Sequence, residues 1–373
     1  MKQLSALALP ATDLDALRAR IKALAEPRPG IYRMVDPAGR VLYVGKARRL
    51  RSRLLSYFRA RYPDDKAARI LHSAHDIQWD YAPSEFAALL GEIREIRRHR
   101  PPYNFQGNRS RLPVFISVTT DLAPRLEARR RAPTAEERCY GPFGSAGRVQ
   151  EGLRTLNDLL GLRDCAAKMP IVFADQTDLF SAPRQAACLR HQFGYCLGPC
   201  AALTTREAYD ERIQDAIAFL EGRSLAPVGR VVEMMQRAAA SQSFEEAARW
   251  RERFEALEWL LSATTRARAA VELLSFVYRD PGIHGDDRAY LIKRGTVRAT
   301  FPYPTTPIEI EAFRAVASQE LARPEPPAGL LPVGKLDEML VVMSWFRRHP
   351  ESFRRTSKLE EWAGGEVVSG TEK

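Results

Sequence analysis

The strongest constraint on the fold is the stretch GIYRMVDPAGRVLYVGKARRLRSRLLSYF, which runs from Gly30 to Phe58. Two short apolar runs flank DPAG, in which a proline and a glycine occupy the usual turn positions. The pattern predicts an antiparallel hairpin followed by a basic helix at about residues 47–60. A suitable register would bring the hydroxyls of Tyr32 and Tyr43, on neighbouring strands, into one site.

Composition limits the function classes only coarsely. The chain has 373 residues, enough for two or three domains, and it is 45% hydrophobic and 28% charged, as in soluble globular proteins. It carries 57 basic against 46 acidic residues, a formal charge of +11, which fits a nucleic acid, a membrane surface or simple solubility. No apolar run approaches the roughly 18 residues of a membrane span, and the N-terminus predicts a cytoplasmic protein rather than a secreted one.

Hydrophobic periodicity and the positions of caps, prolines and glycines predict further helices and strands. A helix is predicted at about residues 12–25, and another from the cap Ser84 to His99, before two prolines. VFISVTT predicts a strand, GSAGRVQEGLRTLNDLLGL a capped helix, and residues 229–262 a pair of helices. AYLIKRGTVRATFPY has the alternation of a β-hairpin that turns at KRG.

The residues around the first hairpin suit phosphodiester hydrolysis, which needs an activated water and positive charge at the phosphate. A tyrosine can act as general base if a cation such as Lys46 lowers its pKa from about 10. Arg53 and Tyr57 are four residues apart on a helix and share a face. Glu92, preceded by FAALLG, can hold Mg²⁺ together with waters and phosphate oxygens. Each of these residues, taken singly, is explained as well by packing or by a solvated surface.

Together, GIY, YVGKARRLRSRLLSYF and SEFAALLGEIREIRRHRPPYN resemble the GIY-YIG nuclease domain, in particular that of the UvrC family of nucleotide excision repair. The resemblance covers about residues 27–107. It implies a small α/β module in which Tyr32 and Tyr43 are the signature tyrosines, one of them the base, and Glu92 binds a divalent metal, Mg or Mn. It also implies supporting roles around the phosphate for Lys46, Arg53, Tyr57 and Asn104.

Two positions depart from the family pattern in the metal-binding helix. The family commonly has acidic and leucine residues where this chain has Ala87 and Gly91. Gly91 weakens a helix by about 1 kcal/mol relative to alanine. The catalytic positions are intact, so an active site is expected.

Four cysteines follow the nuclease-like region, namely Cys165, Cys188, Cys196 and Cys200. CLGPC supplies one short pair where zinc sites usually have two, so the spacing suits zinc poorly without excluding it, and it suits an iron-sulfur cluster as well. CLRHQFGYCLGPC resembles the cysteine-rich region of UvrC proteins, which implies a [4Fe-4S] cluster on these four residues. The loop after Cys165 is longer than in the family, and Cys139 is expected to be an ordinary thiol.

VVEMMQRAAASQSFEEAARWRERFEALEWLL has apolar residues at helical spacing. By pattern alone this helical pair packs on the rest of the chain. However, SFEEAARWRERFEAL resembles the UVR motif, through which UvrC binds UvrB. The resemblance implies a UvrB-binding surface formed by Phe244, Ala247, Ala248 and Arg251.

The expected fold class is α+β, with an N-terminal helix (1–26), a GIY-YIG domain (27–107), a cysteine-rich helical region (108–225), a UVR helical hairpin (226–263) and a small α+β remnant (264–373). The last part shows no recognisable second nuclease site, an arrangement similar to Cho-type UvrC homologues.

The resemblance predicts a DNA endonuclease that nicks double-stranded DNA on the 3′ side of a lesion marked by UvrA and UvrB. Its exposed basic residues would hold the DNA backbone or face solvent, and they include Arg48, Arg49, Arg59 and Arg61. Two alternatives are a non-catalytic adaptor that binds UvrB and DNA, and a GIY-YIG nuclease outside repair. A complete set of tyrosine, lysine, arginine and glutamate favours an enzyme over an adaptor.

Overall fold

A computed structural model describes residues 13–105, 113–130, 138–176, 188–325, 331 and 335–363. The described residues fall into two compact units. The first unit lies within residues 1–108, 274–323 and 337–373, and the second within 109–273 and 324–336. The chain therefore leaves the first unit early and returns to it for its last third.

The elements are numbered in chain order. The described helices are α1 (Leu14–Leu24), α2 (Leu50–Tyr57), α3 (Lys66–Ser73), α4 (Glu85–His99), α5 (Pro102–Phe105), α6 (Ala146–Leu160), α7 (Leu189–Gln192), α8 (Arg206–Leu220), α9 (Ala226–Ala240), α10 (Phe244–Glu272), α11 (Pro307–Ala322), α12 (Leu336–Arg348) and α13 (Leu359–Ala363). The described strands are β1 (Gly30–Val35), β2 (Val41–Ala47), β3 (Asp76–Tyr81), β4 (Val114–Val118), β5 (Leu126–Arg129), β6 (Arg138–Phe143), β7 (Phe276–Asp280), β8 (Arg288–Lys293), β9 (Thr296–Pro302) and β10 (Thr356–Ser357).

The first hairpin forms as the sequence predicts. β1 and β2 pair antiparallel, and β3 adds to the other edge of β1 to give the order β2-β1-β3. At the turn, the Gly39 N–H donates to the Asp36 carbonyl over 2.9 Å, and Gly39 has a φ of +79°. This left-handed conformation is one that glycine adopts at little cost, which explains the residue at the end of DPAG.

The helices around this sheet follow the predictions with two differences. The basic helix is shorter than residues 47–60 because β2 continues through Ala47 and the helix ends at Tyr57. The short α3 was not predicted. α4 begins where expected, since the Ser84 hydroxyl accepts the Ala87 N–H over 2.9 Å, and Arg100 ends it in the left-handed conformation before Pro101.

The last third adds a second sheet to the first unit. Its strands have the antiparallel order β10-β7-β8-β9. The hairpin of β8 and β9 turns at KRG, as predicted, with Arg294 and Gly295 both at positive φ, 51° and 70°. Two consecutive positive φ values are those of a type I′ turn, whose twist suits a two-residue hairpin.

The second unit contains the cysteine region and the helical pair. Its sheet has the order β5-β4-β6, and β4 is buried throughout. Its core joins this sheet to α6, α8 and α10. α10 extends to Glu272, well beyond the predicted end at residue 262, and Ala263 and Ala267 of this extension pack in that core. Across the described ranges, no helix is both long and apolar enough to cross a bilayer.

Candidate active site and cysteine site

Three tyrosines from different elements converge beside the first sheet. Tyr32 lies on β1, Tyr43 on β2 and Tyr57 at the end of α2. Their ring centroids are 6.1 Å apart for Tyr32 and Tyr43, 5.9 Å for Tyr32 and Tyr57, and 6.4 Å for Tyr43 and Tyr57. The register pairs Tyr32 with Gly45 and Met34 with Tyr43, so the two strand tyrosines are diagonal neighbours on one face. The structure thus brings both signature tyrosines into one site.

The glycine opposite Tyr32 makes this arrangement possible. A Cβ atom on Gly45 would lie 2.4 Å from the Tyr32 hydroxyl and 2.4 Å from its Cζ atom. Real Cβ atoms do not approach other heavy atoms so closely, and Tyr32 is fully buried. The glycine of YVG is therefore required so that the phenol of GIY can lie across β2.

Hydrogen bonds join Tyr32, Tyr57 and Arg53. The two phenol oxygens are 2.8 Å apart, and Arg53 donates from Nε to Tyr32 over 3.1 Å and from NH2 to Tyr57 over 3.4 Å. Burial raises the pKa of Tyr32 to about 12, the nearby Tyr43 adds to the increase, and Arg53 opposes it. Burial also raises the pKa of Tyr57. The predicted lowering of a tyrosine pKa is therefore wrong for Tyr32, because loss of water outweighs the adjacent cation.

Glu92 faces this group from α4. It is half-buried, and burial raises the pKa of its carboxyl, whereas the charge and backbone N–H of Lys46 and the charge of Arg53 lower it. The Lys46 ammonium lies 3.6 Å from the carboxylate of Glu85, which is on α4 together with Glu92. Glu85 and Glu92 are seven residues apart and share a face. Lys46 therefore joins the end of β2 to the face of α4 that carries Glu92.

This setting fits a divalent cation held by one carboxylate. A partly dehydrated carboxylate gains from a bound cation, which would offset the unfavourable burial of its charge. Among the described residues, no three carboxylate, histidine or cysteine side chains form a metal-binding group. Mg²⁺ commonly has one or two protein carboxylates and completes its shell with water and substrate phosphate, so Glu92 meets its requirement.

Asn104 differs from the role that the family resemblance implies. Its side-chain oxygen accepts the Val44 N–H over 2.8 Å, and its amide nitrogen donates to the Val44 carbonyl over 2.8 Å. β2 is an edge strand, and Val44 is fully buried, so these bonds satisfy backbone groups that would otherwise lack partners. Asn104 thus holds the strand that carries Tyr43, and its predicted role near the phosphate stays a prediction.

Gly91, one of the two departures from the family pattern, has a packing reason. A Cβ atom there would lie 2.2 Å from the Cδ1 atom of Ile31 on β1. The glycine allows α4 to approach the sheet closely. A larger residue at this position would require the Ile31 side chain to move.

The basic residues predicted to contact DNA are all exposed. Arg48 and Arg49 precede or begin α2, and Arg59 and Arg61 follow it. The Arg48 side chain is 81% exposed and lies 4.0 Å from Glu85, at the limit of an ion pair. Their exposure agrees with contact to a DNA backbone and equally with a solvated surface.

The four predicted cysteine ligands line one cavity in the second unit. Cys165, Cys188, Cys196 and Cys200 surround a volume of about 300 Å³. Burial raises the thiol pKa values of Cys196 and Cys200, and the neighbouring thiols raise them further. The long loop after Cys165 lies partly in residues 177–187, outside the described residues.

A buried arginine contacts one of the four cysteines of this cavity. Arg163 is 2% exposed, and its guanidinium donates to the Cys165 sulfur over 3.5 Å and to the Ala123 carbonyl over 2.7 Å. The same guanidinium donates to the Asp121 carboxylate over 3.1 Å, so its charge is shared between Asp121 and the cysteine site. Among the described residues no three cysteine, histidine or carboxylate side chains form a metal-binding group. Four thiols around one cavity are the ligand type of both iron-sulfur clusters and zinc sites.

The helical pair is divided between core and surface. The C-terminal half of α10 packs in the second unit, as expected from pattern alone. At its N-terminal end, Phe244 is 74% exposed, and Ala248 and Arg251 are exposed one and two turns later. Ala247 is half-buried. Phe244, Ala248 and Arg251 have the i, i+4, i+7 spacing of one helix face, and we call this face the hairpin tip.

Comparison with protein families decides the assignment. Residues 28–105 match the UvrC-like GIY-YIG domain, residues 114–219 match the middle domain of UvrC/Cho excinucleases, and residues 228–258 match the UvrB/UvrC motif. The chain belongs to the UvrC family. The predicted fold class, with a GIY-YIG domain and a UVR motif in a mixed α and β chain, is confirmed.

Individual relatives match only part of their own length. UvrABC system protein C of Sphingopyxis alaskensis is 39% identical over 247 residues, which are 66% of this chain and 36% of that protein. The protein of Moorella thermoacetica is 35% identical over 261 residues, 70% of this chain and 40% of that protein. The chain therefore spans less than half the length of these UvrC relatives.

A solved structure is also similar to the N-terminal part. It is the GIY-YIG N-terminal endonuclease domain of UvrC from Thermotoga maritima, bound to its catalytic magnesium. It is 34% identical and covers 24% of this chain and 97% of that domain, with a TM-score of 0.22.

Sequence reasoning missed two contributors to these UvrC-type sites. Arg163 stands two residues before Cys165, and a buried arginine beside a cysteine has no periodic signature in sequence. Asp280 belongs to no sequence motif either, yet it accepts a hydrogen bond from Ser84, the cap of α4. The separation of 196 positions between these two residues explains why only the folded chain reveals the contact.

Proposed function

We propose that this chain is a metal-dependent DNA endonuclease that nicks a damaged duplex on the 3′ side of a lesion marked by UvrA and UvrB. The observation that carries the proposal is the grouping of Tyr32, Tyr43, Tyr57 and Arg53 opposite the half-buried carboxylate of Glu92. This set supplies a base, a cation for developing charge and a metal ligand.

Each residue of the candidate site has its own role in the proposed hydrolysis. Glu92 holds the divalent cation, Mg²⁺ or Mn²⁺, which when bound supplies Lewis-acid polarisation of the scissile phosphate. Arg53 stabilises the negative charge that develops on the phosphate oxygens. Tyr43 is the better placed base, because no hydrogen bond joins its hydroxyl to another described residue, whereas Tyr32 and Tyr57 are bonded to each other and to Arg53. Lys46 positions α4 through Glu85.

DNA binding would be mainly electrostatic. The exposed arginines beside α2 and those near the end of α4 provide positive charge for a phosphate backbone. Affinity should therefore fall steeply with salt.

We propose the hairpin tip as the UvrB-binding surface. An exposed aromatic residue followed by exposed positions one and two turns later suits an amphipathic helix of a partner. Phe244→Ala should weaken UvrB binding by about tenfold or more, as expected for an aromatic side chain that becomes buried when the partner binds. Leu273→Ala, at the far end of α10 where Leu273 is 75% exposed, is the matched control and should bind normally.

We propose a [4Fe-4S] cluster on Cys165, Cys188, Cys196 and Cys200. Cys188→Ala should remove bound iron and the visible absorbance of the purified protein. Cys139→Ala is the control, because Cys139 lies on β6 and does not line the cavity. Stoichiometric zinc in place of iron would contradict the cluster.

The proposed division of labour assigns cutting to residues 27–107, cluster binding to 108–225 and UvrB binding to 226–263. Within residues 1–26 the described helix is α1, and the described part of 264–373 is proposed to support the nuclease domain.

Incision of an end-labelled lesion duplex with UvrA, UvrB, ATP and Mg²⁺ tests the function. The wild-type chain should cut only when UvrB is present. Glu92→Gln should abolish cutting, and Glu207→Gln, an exposed glutamate of α8, should leave it unchanged. Binding to UvrB without cutting would favour the adaptor, and cutting without UvrA and UvrB would favour a nuclease outside repair.

A further inference from the structure

The last third of the chain contacts the helix that carries Glu92. Phe86 and Leu90, one turn apart on α4, are buried in a core formed with residues of β7, β8 and α12. The fully buried Phe86 ring has aromatic neighbours on every side, with centroid distances of 5.3 Å to Tyr278, 5.0 Å to Tyr290, 5.2 Å to Trp345 and 6.4 Å to Phe346. We call this pocket the Phe86 socket. Such a socket fixes the rotation of α4 about its axis.

Polar contacts fix the start of the same helix. The Ser84 hydroxyl accepts the Ala87 N–H over 2.9 Å and donates to the carboxylate of Asp280, which is 3% exposed. The Ile283 N–H donates to the Pro83 carbonyl over 3.1 Å. The cap of α4 is therefore itself held by β7 and the loop after it.

The opposite face of α4 forms the candidate site. Glu85 and Glu92 lie towards Lys46, and Gly91 contacts Ile31 of β1. The helix is thus enclosed between the first sheet and the second, and each surface constrains it. A shift of α4 out of the Phe86 socket would move Glu92 relative to Arg53 and the tyrosines.

We propose that the last-third segments of the first unit, residues 274–323 and 337–363, are a positioning element for Glu92. They hold it in place through the Phe86 socket and the Ser84–Asp280 hydrogen bond. The inference rests on the proposed function, because Glu92 is the metal ligand only if the chain is a nuclease. No residue of the last third needs to touch the substrate or the metal. Gly91 makes α4 less rigid, and the contacts of the last third with α4 would compensate for this.

The test measures α4 directly and metal binding separately, on the full chain. Hydrogen exchange of residues 85–99 should become faster in Phe86→Ala and in Asp280→Ala. Manganese affinity, measured by the electron paramagnetic resonance signal of free Mn²⁺, should fall by roughly 10- to 100-fold, the usual effect of losing a residue that orients a metal ligand. Asp280→Asn keeps an acceptor for Ser84 and should restore most of both. Ile308→Ala, an 83% exposed residue of α11, is the control.

The outcomes separate the two proposals. Unchanged exchange in α4 and unchanged Mn²⁺ affinity in folded Asp280→Ala would overturn the positioning role, even if Phe86→Ala failed to fold. Faster exchange in α4 with no Mn²⁺ binding by the wild-type chain would support the socket as a constraint on the helix and refute Glu92 as a metal ligand. Global unfolding of both variants, with Asp280→Asn no better than Asp280→Ala, would also count against positioning by this hydrogen bond.

Discussion

The buried carboxyl of Asp280 makes a quantitative prediction about stability and pH. Burial raises its pKa from the ordinary value of 3.8 to about 7, although hydrogen bonds from Ser84 and Tyr278 and the charge of Arg355 lower it, and Asp287 adds to the increase. The folded chain therefore keeps a proton on this carboxyl over a pH range in which the unfolded chain has lost it. The free energy of unfolding must then decrease as pH rises from about 4 through about 7.

The size of the effect follows from the two pKa values. A difference of about 3 units at 1.36 kcal/mol per unit gives about 4 kcal/mol over the whole range. Between pH 5 and pH 8 the same relation gives about 2.5 kcal/mol. The contribution is complete below pH 4 and absent above pH 8. Asp280→Asn carries no titrating proton, so the difference between variant and wild type isolates this carboxyl from all others.

Urea unfolding of wild type and Asp280→Asn at pH 5 and pH 8 measures that difference. Relative to wild type, the variant should gain about 2.5 kcal/mol of stability between the two pH values. Asp337→Asn, at the exposed start of α12, is the control and should run parallel to wild type. An Asp280→Asn difference that is the same at both pH values would refute the reasoning, since it would mean that Asp280 is ionised in the folded chain.

Three further substitutions test the geometry. Gly45→Ala should lower the melting temperature by an amount equivalent to about 1–3 kcal/mol and abolish nicking, because a Cβ atom would lie 2.4 Å from the Tyr32 hydroxyl; normal nicking would contradict this. Asn104→Ala should cost about 1–3 kcal/mol in urea unfolding by leaving the backbone of Val44 without partners; an unchanged midpoint would contradict that role. If the proposed cluster is bound, Arg163→Met should shift its reduction potential to lower values by removing the donor to the Cys165 sulfur. Voltammetry measures the potential, and an unchanged value would count against the contact.

Local pattern was enough to predict much of the first unit. The turn of DPAG, the cap Ser84 and the pairing of two strands depend on residues close in sequence, so the hairpin and the start of α4 were accessible. Glu92 was a candidate metal ligand from its residue type and its small and apolar neighbours, and the family resemblance supported the same role. The close approach to Ile31 that Gly91 allows depends on contacts 60 residues apart in the chain.

Other features could not be predicted because tertiary contacts determine them. The periodicity of α10 gave no sign that the helix extends to Glu272, since its last turns are stabilised by packing in the second core. The two bonds of the Asn104 amide to the backbone of Val44, on an edge strand, had no signal in the sequence. The role of the last third was equally hidden, because Asp280 and Ser84 are far apart in sequence.

The electrostatics of the candidate site explain why its cations, rather than its tyrosines, determine the chemistry. Burial holds the pKa of Tyr32 at about 12, so this phenol remains neutral and serves as a hydrogen-bonding partner of Tyr57 and Arg53. Burial raises the pKa of Glu92, whereas Arg53 is exposed and its positive charge is accessible to a phosphate. A phosphate brought beside Glu92 adds a second negative charge to a poorly hydrated site. The negative charges of Glu92 and the phosphate are neutralised only when a divalent cation binds in addition to Arg53. The metal requirement of the proposed reaction follows from this balance of charge.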